Sequence, residues 1–278
     1  MTGQVIAAHG REYIVKSETG ESRLFARGRM KGKTEILVGD FVTFEQDAIA
    51  SVLPRKTRFF RPNVANVELI CAVLSPEPKP DFLMLDKLLA SAGREGAEVV
   101  FAVNKNDLGR EVYRKVCEEY GAFYEIFSVS AAEKDNLAAL KERLKGRLTA
   151  LAGQSAVGKS SLVNAMFGAS LKVGDLSAIG RGKHTTTASR IYFFGDWQIM
   201  DTPGFAALET DMDETELAEY YPEFSAHSGE CRFRGCSHTG EPGCAVAALA
   251  ESGEIPEGRY ERYKQIYAEL KGRRKRYE

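Results

Sequence analysis

Three short polar motifs, each directly after a run of apolar residues, constrain the fold of this chain more than any other feature. They are residues 104–107 (NKND), residues 153–160 (GQSAVGKS) and residues 201–204 (DTPG). Between residues 66 and 208, such apolar strands alternate with amphipathic helices at residues 82–92, 111–120 and 136–144. This alternation predicts an α/β fold with a mostly parallel sheet, helices on both faces and ligand loops at the carboxyl ends of the strands.

The middle motif follows the pattern G-x-x-x-x-G-K-[ST], in which backbone N–H groups of a glycine-rich turn and the following helix N-terminus hold phosphates. Residues 148–152 read as the preceding strand and residues 161–167 as the following helix, which is the context that the motif needs. We expect Lys159 to neutralise the β- and γ-phosphates and Ser160 to bind Mg²⁺. The predicted phosphate-binding residues are Gly153, Gln154, Ser155, Ala156, Val157, Gly158, Lys159, Ser160 and Ser161.

The first motif indicates which base is bound. The Asp107 carboxylate can accept hydrogen bonds from both N1–H and the exocyclic amine of guanine, whereas adenine has no proton at N1. A buried polar group left without a partner supplies discrimination of about 10⁴ in comparable sites. Asn104 is expected to meet the base edge, and the Lys105 stem to cover the base face. In residues 128–131 (SVSA), the small residues predicted to lie behind the guanine are Ser130 and Ala131.

The last motif predicts a γ-phosphate sensor. Asp201 would reach the Mg²⁺ shell through water, and the Gly204 N–H would contact the γ-phosphate, so hydrolysis would release the loop. Upstream, residues 180–187 (GRGKHTTT) are glycine-rich and polar, and one threonine is the expected second Mg²⁺ ligand. Thr186 or Thr187 is favoured over Thr185.

Phe205 occupies the position after DTPG where many GTPases place the glutamine that orients the attacking water. A phenyl ring cannot do this, so we predict slow intrinsic turnover that rises when a partner completes the site. His184 is the candidate for positioning the water, and a solvated loop histidine is the alternative interpretation. The predicted catalytic residues are His184 and Lys159.

The order of the motifs departs from the usual one. A usual GTPase has the phosphate loop first, then DTPG, then NKxD, so this chain is predicted to be circularly permuted. Rotating the order moves the chain termini without changing the sheet. It also makes DTPG lead directly into the C-terminal region, so we expect loosening of the switch to reorient that region.

Residues 1–61 read as short strands separated by turns, which suit a small closed barrel of the OB type. The predicted strands are residues 4–9, 12–16, 21–25, 40–45 and 49–53. Such barrels bind nucleic acid, and this stretch has 11 basic and 7 acidic residues. Tyr13, Phe25 and Phe41 are interpreted as core residues rather than as stacking platforms. The barrel is expected to end near residues 54–62 (PRKTRFFRP).

The C-terminal region contains four candidate metal ligands with the spacing C-x4-C-x-H-x5-C: Cys231, Cys236, His238 and Cys244. Three thiolates and an imidazole suit tetrahedral Zn²⁺, and a closed four-ligand site is structural. Buried cysteines without a metal are the alternative. Residues 259–276 read as a helix with a basic end.

The length and net charge of the chain bear on the number of domains and on the class of partner. At 278 residues, two or three domains are expected. We predict an OB-fold RNA-binding domain at residues 1–61, a circularly permuted P-loop GTPase domain at 62–208 and a mostly helical zinc-binding domain at 209–278. The net charge of −1 does not by itself indicate a nucleic-acid binder. With no signal-peptide pattern and no apolar run of about 18 residues, we expect a cytoplasmic location and no membrane partner.

Taken together, the motifs resemble the circularly permuted GTPases called ribosome small-subunit-dependent GTPase A (RsgA). The resemblance covers nearly the whole chain: GDFVTFE, VLPRKTRFFRP, NKND, GQSAVGKSSLVNAM, GRGKHTTT, DTPGF, YYPEF, CRFRGCSHTGEPGCAV and RYERYKQIYAEL. It implies a GTP hydrolase that acts late in maturation of the 30S subunit and is stimulated by that subunit. Many members carry an extension before the barrel, whereas the first predicted strand here begins at residue 4.

On this reading the partners are the 30S subunit with its 16S rRNA, and GTP or GDP. The protein is expected to be a monomer with one structural Zn²⁺ and with Mg²⁺ bound alongside GTP. It would dock through the barrel and the zinc domain, in a manner sensitive to salt. Two alternatives remain at this stage: a P-loop kinase of a small molecule, which NKND and DTPG oppose, and an RNA-binding module whose nucleotide site is only structural.

Overall fold

The computed structural model describes residues 1–27, 35–169, 189–201 and 212–274. Six of the residues discussed in the sequence lie outside the described residues: His184, Thr185, Thr186, Thr187, Gly204 and Phe205. Among the described residues, no helix has the length and apolar character that crossing a bilayer requires.

The first part of the chain folds into a closed barrel. Its strands are β1 (Thr2–His9), β2 (Glu12–Ser17), β3 (Gly20–Ala26), β4 (Phe41–Glu45) and β5 (Ala48–Val52). The sheet closes on itself because β1 pairs with both β2 and β4, while β5 pairs with both β3 and β4. The apolar interior consists of Val5, Val15, Leu24, Ile36, Val42, Phe44 and Ile49. The predicted N-terminal barrel is therefore confirmed.

Two barrel aromatics lie on the surface, which corrects the expectation that they belong to the core. Phe25 and Phe41 expose 53% and 42% of their surface. Successive side chains of a strand point to opposite faces, and the neighbours Leu24 and Val42 fill the interior. Phe25 and Phe41 consequently point outward. Tyr13 does pack, partly buried, against the barrel core.

A hairpin that the sequence analysis did not predict follows the barrel. It consists of β6 (Arg58–Phe60) and β7 (Asn63–Ala65). Phe59 pairs with Val64 across the hairpin, and both side chains are buried in a core that extends to Ile70 of the next strand. The segment expected to mark a boundary is thus packed into the protein. The division at residue 61 stays a prediction.

The central region contains the predicted parallel sheet. Its strands are β8 (Leu69–Leu74), β9 (Glu98–Val103), β10 (Glu125–Ser128), β11 (Leu148–Ala152), β12 (Arg190–Phe194) and β13 (Trp197–Asp201). They lie in the order β10-β9-β8-β11-β13-β12, and all neighbours are parallel except β12, which is antiparallel to β13. β12 also pairs with β1 of the barrel, at Ala7 and Arg190.

Helices cover both faces of this sheet. They are α1 (Phe82–Glu95), α2 (Glu111–Tyr120), α3 (Leu137–Arg143) and α4 (Lys159–Phe167). In β8, Ile70 and Ala72 pack in one core with α1 and α2. The intervening Cys71 and Val73 pack in a second core with α3 and α4. The period of two in the strands therefore produces the two-sided burial that the alternation predicted.

The C-terminal region is mostly helical. It contains α5 (Pro222–Ser225), α6 (Ala245–Ser252), α7 (Glu257–Arg274) and the 3-10 turns Leu217–Tyr220 and Ser228–Glu230. Its core is built largely from aromatic rings, including those of Tyr221, Phe224 and Tyr263.

A buried ionic network attaches α7 to α1. Arg259 is 1% exposed and donates hydrogen bonds to Asp86 at 2.5 Å and to Glu223 at 2.7 Å. Arg262 donates to the other Asp86 oxygen at 2.6 Å and to Glu119 at 2.5 Å. Burial alone would lower the pKa of Arg259, but the two carboxylates beside it raise that pKa well above its ordinary value. The C-terminal region is thus docked on α1 through paired, desolvated charges.

We predict that Arg259→Ala destabilises this docking, because it leaves Glu223 buried without its cation and Asp86 with Arg262 alone. The opening free energy of α7, measured by native-state hydrogen exchange, should fall by about 3–5 kcal/mol. Lys264→Ala is the matched control on the same helix, because Lys264 pairs with Glu261 where both side chains are partly exposed. That change should cost less than about 1 kcal/mol. Equal costs for the two variants would contradict the prediction.

Candidate functional site

The sequence motifs meet at one edge of the central sheet. β9, β8, β11 and β13 are adjacent and parallel, so the loops that follow them share the carboxyl edge. Residues 104–107 follow β9, residues 153–160 follow β11, and Asp201 ends β13. The rotated order of the motifs along the chain therefore leaves them neighbours in space.

The side chain of Asn104 joins three of the loops at this edge. It is 1% exposed. Its Nδ2 donates to the Val157 carbonyl of the phosphate loop at 2.9 Å, and its Oδ1 accepts from the Ala131 N–H at 3.0 Å. The base-reading motif, the phosphate loop and the loop after β10 are thus tied through one carboxamide.

Glycines permit the close approach of these loops. A Cβ at Gly158 would lie 2.3 Å from Asn104 Nδ2, and a Cβ at Gly153 would lie 2.2 Å from the Val73 carbonyl oxygen. Both glycines also have φ values, +97° and +137°, that side-chain-bearing residues rarely adopt. The glycines of the motif are therefore required by the packing of the loop as well as by its turn.

Lys105 reaches from the base-reading motif to the phosphate loop. Its Nζ donates to the Ala156 carbonyl at 2.9 Å and to the Glu77 carbonyl at 2.5 Å. The Ser75 hydroxyl donates to the same Glu77 oxygen at 2.7 Å. The aliphatic stem of Lys105 is consequently held between these loops, as a cover for a base requires.

Asp107 is exposed at the same edge and is oriented by a neighbour. The Ser130 hydroxyl donates to Asp107 Oδ1 at 2.5 Å, and Ser130 itself is fully buried. Asn106 points away, to Ser128 at 3.4 Å and to Asp135 at 3.0 Å. The carboxylate thus keeps accepting capacity for a ligand while its direction is fixed by the loop behind it.

Lys159 lies at the start of α4 and is 8% exposed. Its Nζ donates to the carbonyls of Gly153 and Gln154 at 2.7 and 2.8 Å. Burial lowers the pKa of Lys159, and the nearby Asp201 carboxylate acts in the opposite direction. A cation held by two neutral carbonyls in a half-enclosed loop is well suited to exchange these partners for phosphate oxygens. Ser160, the candidate Mg²⁺ ligand, follows directly and is 5% exposed.

Residues 75–81 also contribute to the site, although no sequence motif predicted this. This loop follows β8, between the two predicted binding loops, and supplies the Glu77 carbonyl that holds Lys105. Its Asp81 N–H donates to Gln154 Oε1 at 3.2 Å, and the Asp81 side chain caps α1 by accepting from the Met84 N–H at 2.9 Å. The available signal was its position, because an apolar strand ending at residue 74 had to end at the ligand edge.

A second cluster, in the C-terminal region, brings together Cys231, Cys236, His238 and Cys244, whose potential ligand atoms all lie within 4.8 Å of one another. His238 Nδ1 lies 3.5 Å from the Sγ atoms of both Cys231 and Cys244. A tetrahedral Zn²⁺ site with ordinary bond lengths has S···N edges of about 3.5 Å. The four residues could therefore hold a metal ion of that kind with little rearrangement.

Backbone N–H groups and one carboxylate order the residues of the cluster. The Ala245 N–H donates to Cys231 Sγ and the Ala247 N–H donates to Cys244 Sγ, both at 3.4 Å. Glu241 orders the loop that carries His238 by accepting from the N–H groups of Ser237 and Thr239. Although burial opposes it, the hydrogen bond from the Ser237 hydroxyl and those from the N–H groups lower the pKa of Glu241 to about 2. Such outer hydrogen bonds hold metal ligands in place.

Comparisons with known proteins agree with this arrangement. The family model described as RsgA GTPase matches residues 52–211. The small ribosomal subunit biogenesis GTPase RsgA of Geobacillus kaustophilus is 40% identical, with 99% of each chain covered. The protein of that name from Thermotoga maritima is 38% identical, over 99% of this chain and 98% of its own.

Solved structures show the same likeness. The crystal structure of YjeQ from Thermotoga maritima superposes with a TM-score of 0.82 at 35% identity, over 98% of both chains. That of YloQ, described as a circularly permuted GTPase, gives 0.78 at 30% identity, over 98% of this chain and 95% of the other. With its motifs, its fold and its relatives in agreement over nearly the full length, this chain belongs to the RsgA family of circularly permuted GTPases.

Proposed function

We propose that this chain hydrolyses GTP and acts as an assembly factor of the small ribosomal subunit, which stimulates the hydrolysis. The relatives named as small ribosomal subunit biogenesis GTPases support this role. The observation that carries the proposal is the Asn104 carboxamide, which ties the base-reading loop to the phosphate loop. One nucleotide can then contact Asp107 and Lys159 together.

Guanine would be recognised by the Asp107 carboxylate, which accepts from N1–H and from the exocyclic amine. Ser130 fixes the direction of this carboxylate, and the Lys105 stem covers the base. An adenine ring offers no proton at N1, so it would leave the carboxylate desolvated without a partner. This argument opposes the alternative of a P-loop kinase that uses ATP.

The phosphates would lie on the loop of residues 153–161, with Lys159 neutralising the charge that develops during transfer. Mg²⁺ bound with GTP would supply further charge neutralisation, held by Ser160 and, through water, by Asp201. One of Thr186 and Thr187 would complete its shell, Gly204 would contact the γ-phosphate, and His184 would position the attacking water. Phosphoryl transfer depends mostly on such positioning and charge stabilisation.

The metal held by the cysteine–histidine cluster would be Zn²⁺ in a structural role. Four protein ligands leave no open coordination position for a substrate. The ion would join the loop of Cys231 and Cys236 to the start of α6 at Cys244, and so order a region rich in turns. The barrel and this region would provide the docking surfaces for the ribosomal subunit.

The central test is GTP turnover with and without purified 30S subunits. We expect slow hydrolysis by the protein alone and an increase of at least about 10-fold with the subunits, since partner-completed sites gain more than this. ATP should show no such increase. Turnover that the subunits leave unchanged would overturn the proposal.

In the same assay, His184→Ala should lower the stimulated kcat by about 100-fold if the imidazole positions water.

A change of one base-reading atom should change the nucleotide that is bound. In Asp107→Asn the carboxamide can accept from N1–H but donates where guanine also donates, so GTP affinity should fall by about 100-fold or more. Xanthosine triphosphate has a carbonyl at that position and should bind better than GTP.

The matched control for this exchange is Asp135→Asn, an acidic residue of the neighbouring loop that contacts Asn106. It should keep the preference for GTP. Calorimetric titration with both nucleotides measures the preference directly. An Asp107→Asn protein that still prefers GTP would show that this carboxylate does not read the base.

Loading the metal-free protein with Zn²⁺ at pH 7 should release up to three protons per ion, because each thiol must become a thiolate. Burial raises the pKa of Cys236 to about 12 and also raises that of Cys244. Burial lowers the pKa of His238, so the imidazole is already neutral and contributes no proton. Calorimetry in buffers of different ionisation enthalpy counts the protons. Cys117→Ser should leave the count unchanged, and release of fewer than two protons by the unmodified protein would contradict a three-thiolate site.

A further inference from the structure

The loop between two of the candidate metal ligands presents an aromatic side chain to solvent between two basic ones. Residues Arg232, Phe233 and Arg234 are all exposed, and Phe233 exposes 50% of its surface. Exposing an aromatic ring to water is unfavourable, although single exposed apolar residues are common on protein surfaces. The flanking charges make this one different from an ordinary exposed ring.

The loop is held in a defined shape. Cys231 and Cys236 anchor its two ends in the metal cluster, and Gly235 turns the chain with φ +71°. The Arg232 N–H donates to the Gly243 carbonyl at 3.0 Å. The Arg232 stem packs so closely on Gly243 that a Cβ there would lie 2.9 Å from Arg232 Cβ. The tip is therefore pre-organised, which lowers the entropic cost of binding through it.

The two arginines have no acidic partner among the residues that the structure describes. Within residues 1–27, 35–169, 189–201 and 212–274, neither Arg232 nor Arg234 forms an ion pair. The nearby carboxylate of Glu230 faces His227, and that of Glu241 is occupied by the loop of Ser237. The Arg232 guanidinium lies 5.4 Å from the centre of the Phe233 ring.

We propose that this tip, residues 232–234, binds unpaired RNA of the small ribosomal subunit. The Phe233 ring would stack on one base, and the two guanidinium groups would contact the adjacent phosphates. Base stacking on an exposed aromatic ring next to basic side chains is the usual means of binding single-stranded nucleic acid. Two cations that have no acidic partner in the described parts of the chain favour a polyanion over an apolar pocket of a ribosomal protein. The inference rests on the proposed function and assigns part of its docking surface.

Binding to purified 30S subunits, titrated in the presence of a non-hydrolysable GTP analogue, tests the proposal. Phe233→Ala and Phe233→Leu should each weaken binding by about 5- to 150-fold, while Phe233→Trp should retain it, because stacking needs a flat ring. The matched control is Phe123→Ala, since Phe123 is 48% exposed on a different part of the surface. It should bind as the unmodified protein does. All variants should retain stoichiometric zinc, which shows that the cluster is intact.

The salt dependence separates the two kinds of contact. Arg232→Gln and Arg234→Gln should each reduce the slope of log K against log salt concentration by about 0.7, because each removes one phosphate contact to a single strand. Phe233→Ala should weaken binding without changing that slope.

Each other outcome overturns the inference in a recognisable way. Phe233→Leu binding as tightly as the unmodified protein would mean that the ring fills an apolar protein pocket. Phe233→Ala matching Phe123→Ala would mean that the tip is no contact, while the proposed function would stand as long as the unmodified protein binds the subunits. If the unmodified protein does not bind them at all, the proposed function itself fails and the inference with it.

Discussion

The nucleotide site depends on one buried carboxamide. Asn104 satisfies the Val157 carbonyl with its amide nitrogen and the Ala131 N–H with its oxygen. Without it, two backbone groups would lose their partners, at about 1–3 kcal/mol each. All of these contacts run between loops at the edge of the sheet, and none depends on which strand comes first along the chain. This explains how a permuted order of motifs can preserve these contacts.

The contacts that dock the C-terminal region determine how a change of bound nucleotide could alter its position. We expected the segment after DTPG to move this region as the switch loosens. The structure adds a second connection, because Asp81, which caps α1, contacts Gln154 of the phosphate loop. The same helix carries Asp86, which holds Arg259 and Arg262 of α7. Any reorientation of the C-terminal region must therefore break this buried network or move α1 with it.

Much of the fold could be predicted because the spacing of apolar residues along the chain indicates which faces of strands and helices are buried. The strand at residues 148–152 and the helix at residues 111–120 have the predicted bounds. The errors have physical causes. The hairpin of β6 and β7 is stabilised by burying Phe59 against strands distant in sequence. Phe25 and Phe41 were misplaced because hydrophobicity was given more weight than strand alternation.

The sequence by itself determined which chemical groups are available: a carboxylate predicted to read guanine, a lysine predicted to meet phosphate, and three thiols with one imidazole that could hold a metal. These follow from residue type and local spacing, which need no knowledge of distant contacts. Only the tertiary structure decided that Glu77 holds Lys105, that Ser130 aims Asp107, and that α7 is bound to α1. Those interactions join residues far apart along the chain, some through backbone atoms, which every residue type shares and no sequence motif can specify.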